Sequence, residues 1–129
     1  MKKIWLISVF ISFIFIFSFF CGCAENSEKD LEFGKWEMTG NSGLSEFNGV
    51  KYISFVEGDF YLKTSENTND GMGSYTLNEG TKILYLEIDW VKLGLDKLDG
   101  KYFTFRYEFE GNKLILNDAQ GSGSLTLER

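Results

Sequence analysis

Cys21 and Cys23, one residue apart in the stretch FFCGCAENSEKD, are the only thiols of a 129-residue chain that has no histidine. Bridged to each other they would close a strained ring, and zinc needs about four ligands, which this composition does not supply. The lack of histidine also removes the Ser-His-Asp, Cys-His and histidine-metal mechanisms. Carboxylates remain. A glycosidase pair must stand about 5 to 9.5 Å apart in a cleft, whereas Glu57 with Asp59 and Glu87 with Asp89 fall beside a turn or on a polar strand face. In ENTNDG, Glu66, Thr68, Asp70 and Gly71 imitate the start of an EF-hand loop, yet the twelfth position from Glu66 is Leu77 where a glutamate is required. A hairpin turned at Asp70-Gly71 is the simpler expectation. The chain is therefore expected to be no enzyme and to hold no metal or cofactor.

What surrounds the cysteines assigns them a different chemistry. Lys2 and Lys3 precede an uncharged run from Ile4 to Phe20, interrupted only by Ser8, Ser12 and Ser18. A basic start followed by an apolar segment has the form of a secretory signal, although its length also approaches the shortest membrane span. FCGC resembles the lipobox of bacterial lipoproteins, with Gly22 before an acylated Cys23. That resemblance implies a signal peptide over 1–22, palmitate-type chains on Cys23 and an address in the bacterial cell envelope. Ala24, in place of an aspartate that retains lipoproteins at the inner membrane, points to the outer one. A cut after Ala24 and an uncleaved helical anchor are the alternatives the residues leave open. Several acyl chains, at ~0.8 kcal/mol per buried methylene, tether a domain stably without embedding it. Residues 23–32, polar and acidic after the cysteine, read as the lipidated Cys23 and a flexible linker reaching on the order of 16 Å.

Removal of the signal takes away Lys2 and Lys3 and no acid, which leaves 11 of 13 basic residues against 19 acidic ones, a balance of −8. Such a chain is no partner for nucleic acid, nor does it adhere electrostatically to anionic lipid. Residues 33–129 suffice for one core. Their period-two alternation, broken by glycine and asparagine turns, predicts an all-β domain of about eight antiparallel strands: 33–39, 50–57, 59–65, 73–77, 82–89, 101–110, 113–118 and 124–127. YFTFRYEFE alternates most clearly, with Phe103, Phe105, Tyr107 and Phe109 on one face. The same pattern places Ile53, Phe55, Phe60, Leu62, Tyr75, Leu77, Leu84, Leu86, Ile88, Leu114, Leu116, Leu125 and Leu127 inside. Short links make an up-and-down order, which removes both edges by closing into a barrel; a two-sheet sandwich is the competitor.

Gly34, Lys35 and Trp36 then resemble the G-x-W motif that opens the first strand of lipocalins, and the run to SLTLER is similar to small bacterial lipocalin-like lipoproteins. The resemblance implies a lipocalin-like barrel with Trp36 at its base and Arg129 stacked across it. It also implies uptake of a small apolar ligand or lipid. An eight-stranded barrel is just wide enough to be filled by its own side chains or to hold one small ligand. WVKLGLDKLD, residues 90–99, is too apolar for a loop left in water. It is a plug, a lid or a patch for a partner; as a lid, Trp90, Leu93 and Leu95 would line a site with Tyr75, Phe103 and Phe105. The functions that follow are a membrane-tethered, non-catalytic carrier of a small hydrophobic ligand, or a filled barrel without one, which either meets an envelope protein through outward Tyr52, Tyr61, Tyr85 and Tyr102 or serves as a structural surface module.

Overall fold

The computed structural model describes residues 28–32 and 34–129. After a helical turn α1 (Glu28–Leu31), eight strands follow in order: β1 (Lys35–Ser42), β2 (Tyr52–Val56), β3 (Asp59–Lys63), β4 (Gly71–Asn78), β5 (Ile83–Val91), β6 (Tyr102–Glu110), β7 (Lys113–Asp118) and β8 (Ser124–Glu128). Each pairs antiparallel with the next, and β1 also pairs with β8, which closes the expected up-and-down barrel and decides against a sandwich. Closure satisfies every strand edge in a chain that has no proline to blunt one. The tightest link is Glu57-Gly58, where both residues have positive φ, 48° and 87°. Such a two-residue turn carries the twist of a right-handed hairpin.

Up-and-down order sends the β1–β2, β3–β4, β5–β6 and β7–β8 loops to one end, the mouth. The other three turns, α1 and Arg129 lie at the base. Inward residues of all eight strands form one apolar cluster with buried residues from both ends. Of the expected inward set, Leu77 and Phe109 are only partly buried, because each is the next-to-last residue of its strand, at the base rim.

Two strands extend beyond expectation. β1 runs through Gly40 and Asn41 to Ser42, residues that read as loop, since β8 supplies a partner for each of them after a bulge at Thr39. β4 begins at Gly71, where the absence of side chains serves packing: a Cβ on Gly73 would meet the Glu87 carbonyl and lie 2.6 Å from Phe60 Cζ. The linker expected to stay flexible through Glu32 joins the barrel by Asp30, and Leu31 is 1% exposed within the core. Burial of one leucine and several polar contacts outweighs the acidic composition that suggested disorder.

One pattern occurs twice in this barrel. Hairpin β1–β2 carries GLSEFNG (43–49) and KYISF (51–55); hairpin β5–β6 carries GLDKLDG (94–100) and KYFTF (101–105). Their registers coincide: Lys35, Trp36 and Glu37 face Ser54, Ile53 and Tyr52, as Tyr85, Leu86 and Glu87 face Thr104, Phe103 and Tyr102. Met38 N donates to Lys51 O at 2.7 Å, and Ile88 N to Lys101 O at 2.9 Å. Even the bulges match, with Thr39 against β8 and Asp89 against β4 as the extra residues.

Candidate functional site

The base is closed by Trp36, which is fully buried. Its indole Nε1 donates to Leu31 O at 2.9 Å, and the Arg129 guanidinium lies 5.7 Å from its ring centroid. Arg129 also faces Asp30, with Nη1 3.7 Å from Oδ1. The Tyr75 hydroxyl donates to the Glu32 carboxylate. Arg129 thus stands within cation–π reach of Trp36, and α1 covers the same end with Leu31.

At the mouth the two repeated loops fold inward as 3-10 turns, Ser45–Phe47 and Asp96–Leu98. Leucines at Leu44 and Leu95 and the residues three further on, Phe47 and Leu98, are all buried. A 3-10 turn eclipses positions three apart, so each loop sends two apolar side chains to the same side. Phe47 packs on Phe103 with ring centroids 4.8 Å apart and on Phe105 at 6.3 Å. Asn41 fixes the first loop: its Nδ2 donates to Leu44 O at 2.7 Å and its Oδ1 accepts from Leu44 N at 3.1 Å. Leu44 and Phe47 stand among polar residues in the sequence, and the leucine-x-x-apolar spacing they share with Leu95 and Leu98 is the signal for both.

The segment 90–99 thus divides its roles. Leu95 and Leu98 plug the mouth, whereas Trp90 is 41% and Leu93 94% exposed. The six residues expected to line a ligand site are not brought together. Phe103 and Phe105 lie under the plug with Leu95. Tyr75 packs edge-on against Phe55 at 5.2 Å, toward the base, and Trp90 and Leu93 stay outside. A hollow of about 350 Å³ lies at the mouth rim among Leu44, Glu46, Lys101, Tyr102, Phe103 and Asp118. A second of about 350 Å³ lies outside the barrel around Lys35, Tyr52, Glu66 and Arg129.

Asp70, the candidate calcium ligand, is engaged within its own loop. One carboxylate oxygen accepts from Thr68 Oγ1 at 2.6 Å and from Thr64 N and Oγ1 at 2.8 Å each. The Thr68 hydroxyl first, then the Thr64 amide, hold its pKa below the ordinary value, with burial opposing them. Among the described residues no three His, Cys, Asp or Glu side chains are grouped to hold a metal ion.

All four tyrosines expected outside lie on the outer face, with Tyr102 67% exposed and the others half-buried. Cys23, the expected signal segment 1–22 and Phe33 lie outside the described residues. No described helix is long and apolar enough to cross a membrane. Comparison with protein-family models, curated proteins and solved structures finds no match to the chain.

Proposed function

We propose that the protein is a non-catalytic, filled β-barrel that acts through its outer surface, as an interaction module tethered to a bacterial envelope membrane, in the outer membrane, by an acylated Cys23. The observation that carries this reading is the packing of Phe47 against Phe103 inside the mouth, with ring centroids 4.8 Å apart and planes tilted by 56°. A carrier needs one open end. Here apolar side chains from two loops fill one end, and Trp36 with Leu31 fills the other. The tether supports the same reading, since the chain enters at the base through Asp30 and Leu31, which turns the mouth and its rim away from the anchoring membrane.

A lipocalin-like carrier of a small apolar ligand is the second reading. The cation–π contact of Arg129 with Trp36 at the base favours it, and it requires Phe47 and Leu98 to leave the mouth. Native mass spectrometry of the protein extracted from its own membrane separates the two. The filled module gives the mass of residues 23–129 plus acyl chains, unchanged on denaturation. A small molecule held natively and released on denaturation would establish the carrier instead, and an unacylated or uncleaved mass would remove the lipid tether.

A further inference from the structure

The two like hairpins differ in what covers their outer tyrosine. On the first, Lys35 Nζ stands 4.6 Å from the ring centroid of Tyr52, and Glu37 faces that tyrosine across the ladder. A cation over an aromatic face within about 6 Å is attracted by the ring quadrupole. The chain therefore supplies its own cation to the Tyr52 platform. On the second hairpin Glu87 faces Tyr102 in the same register, but the position of Lys35 is taken by Tyr85. Its ring lies 6.0 Å from that of Tyr102, tilted by 34°, and widens the platform. Among the described residues no cation–π contact reaches Tyr85 or Tyr102, and no ion pair reaches Glu87.

The neighbouring positions extend this character. Across β3 to β6 one outer row reads Asp59, Ser74, Glu87, Tyr102, and the next reads Tyr61, Met72, Trp90. The bulge sets exposed Asp89 beside exposed Trp90. No lysine or arginine stands in these rows over these strands. Lys101, beside Tyr102 in the chain, faces Glu46 at 3.8 Å, and Arg106 lies two residues past Thr104 on β6.

Resting on the reading of the barrel as an interaction module, we propose that the Tyr85, Tyr102 and Glu87 platform binds a basic side chain, arginine above all, presented by a partner protein. The guanidinium would take the place over the platform that Lys35 occupies at Tyr52, stacking on the tyrosines while Glu87 and Asp89 accept its hydrogen bonds. Arginine is preferred over lysine because its planar, weakly hydrated cation stacks on aromatic faces and pairs with carboxylates by two parallel bonds.

The test titrates the full chain in mild detergent with a hexa-arginine peptide, a hexa-lysine peptide and a hexa-glutamate control, read by amide chemical shifts. Arginine peptide is expected to move amides of β4, β5 and β6, more tightly than lysine peptide, with no effect of glutamate. Tyr102→Ser should weaken it by about fivefold, the loss of one exposed cation–π contact. Tyr85→Lys should fill the platform from within and lower affinity by about tenfold, while Lys35→Tyr should open the Tyr52 platform as a second site. Glu108→Gln, which removes one negative charge on β6 toward the base, should change affinity less than twofold. The proposal is overturned by absent binding, by shifts spread over all acidic faces, or by an effect of Glu108→Gln equal to that of Tyr85→Lys. These outcomes are independent of whether a small molecule is found in the interior.

Discussion

Hairpins β1–β2 and β5–β6 share their loop pattern, their register and their bulges, yet they place their aromatic groups differently. Inside, the first holds Trp36 and Phe47 where the second holds Leu86 and Leu98. Outside, the first holds Lys35 where the second holds Tyr85. Across the ladder the exchange is reversed, since the second holds buried Phe103 where the first holds Ile53, so both arms keep large groups inside and the second alone adds Tyr85 and Trp90 outside. A barrel wall has one dry and one wet side, so the same ladder tolerates either distribution as long as the interior stays full. The difference teaches that two similar arms divide the same interior volume differently, and that the second arm is the one whose outer tyrosines carry no cation of the chain among the described residues.

Exchanging residues between the arms tests that inequality. Trp36→Leu, which installs the residue of the second arm, should have the largest effect, about 3 kcal/mol by urea unfolding, because a cavity opens at the base and the Leu31 carbonyl loses its donor. A loss below about 1 kcal/mol would mean that α1 and Arg129 seal the base without the indole. Next comes the mouth. Leu98→Phe should cost about 2 kcal/mol through overpacking against Phe47 and its neighbours, and Phe47→Leu about 1 kcal/mol. Restoration of stability in the double exchange would show that the two loops share one volume; simple addition of the two losses would show separate sites.

The smallest expected effect comes from acid. The Asp70 loop is bonded to the second arm through Lys92 N, 2.7 Å from Asp70 O, whereas the loop after β1 meets Ser122 and Gly123 of the β7–β8 loop. Since the folded pKa of Asp70 is lowered by Thr68 and Thr64, its contribution is fully present above the unfolded value of about 3.9 and is lost as pH falls through the folded value. Amide signals of 64–70 and Lys92 should therefore shift below about pH 4 before those of the first arm do. Asp70→Asn should abolish that step, and simultaneous change in both arms would place the acid sensitivity elsewhere.

Much of the fold was legible because alternation in a half-buried strand is a local property. Phe103, Phe105 and Tyr107 declare their face through their own neighbours, and turns such as Glu57-Gly58 punctuate the rest. The ends of β1 were not legible, since Gly40, Asn41 and Ser42 become strand only when β8, some 85 residues later in the chain, lies beside them. Leu31 was hidden for a related reason: one leucine among acids carries no pattern of its own. The mouth was partly legible. Leu95 and Leu98 stood out in an apolar segment, while Leu44 and Phe47 were diluted by glycine, serine and asparagine, although the leucine-x-x-apolar spacing was present in both loops.

The sequence by itself determined the strand count, their order and the inward face of each strand, because period-two alternation and turn residues act over a few neighbours. Tertiary structure alone decided that the expected ligand residues separate, with Tyr75 toward the base, Phe103 and Phe105 under the plug, and Trp90 and Leu93 outside. It also decided that Lys35 covers Tyr52 while Tyr102 is left open. The physical reason is that register between strands, the position of a bulge and the depth of a loop depend on which distant residues fill the same space, and adjacency in space is not encoded in any short stretch of chain.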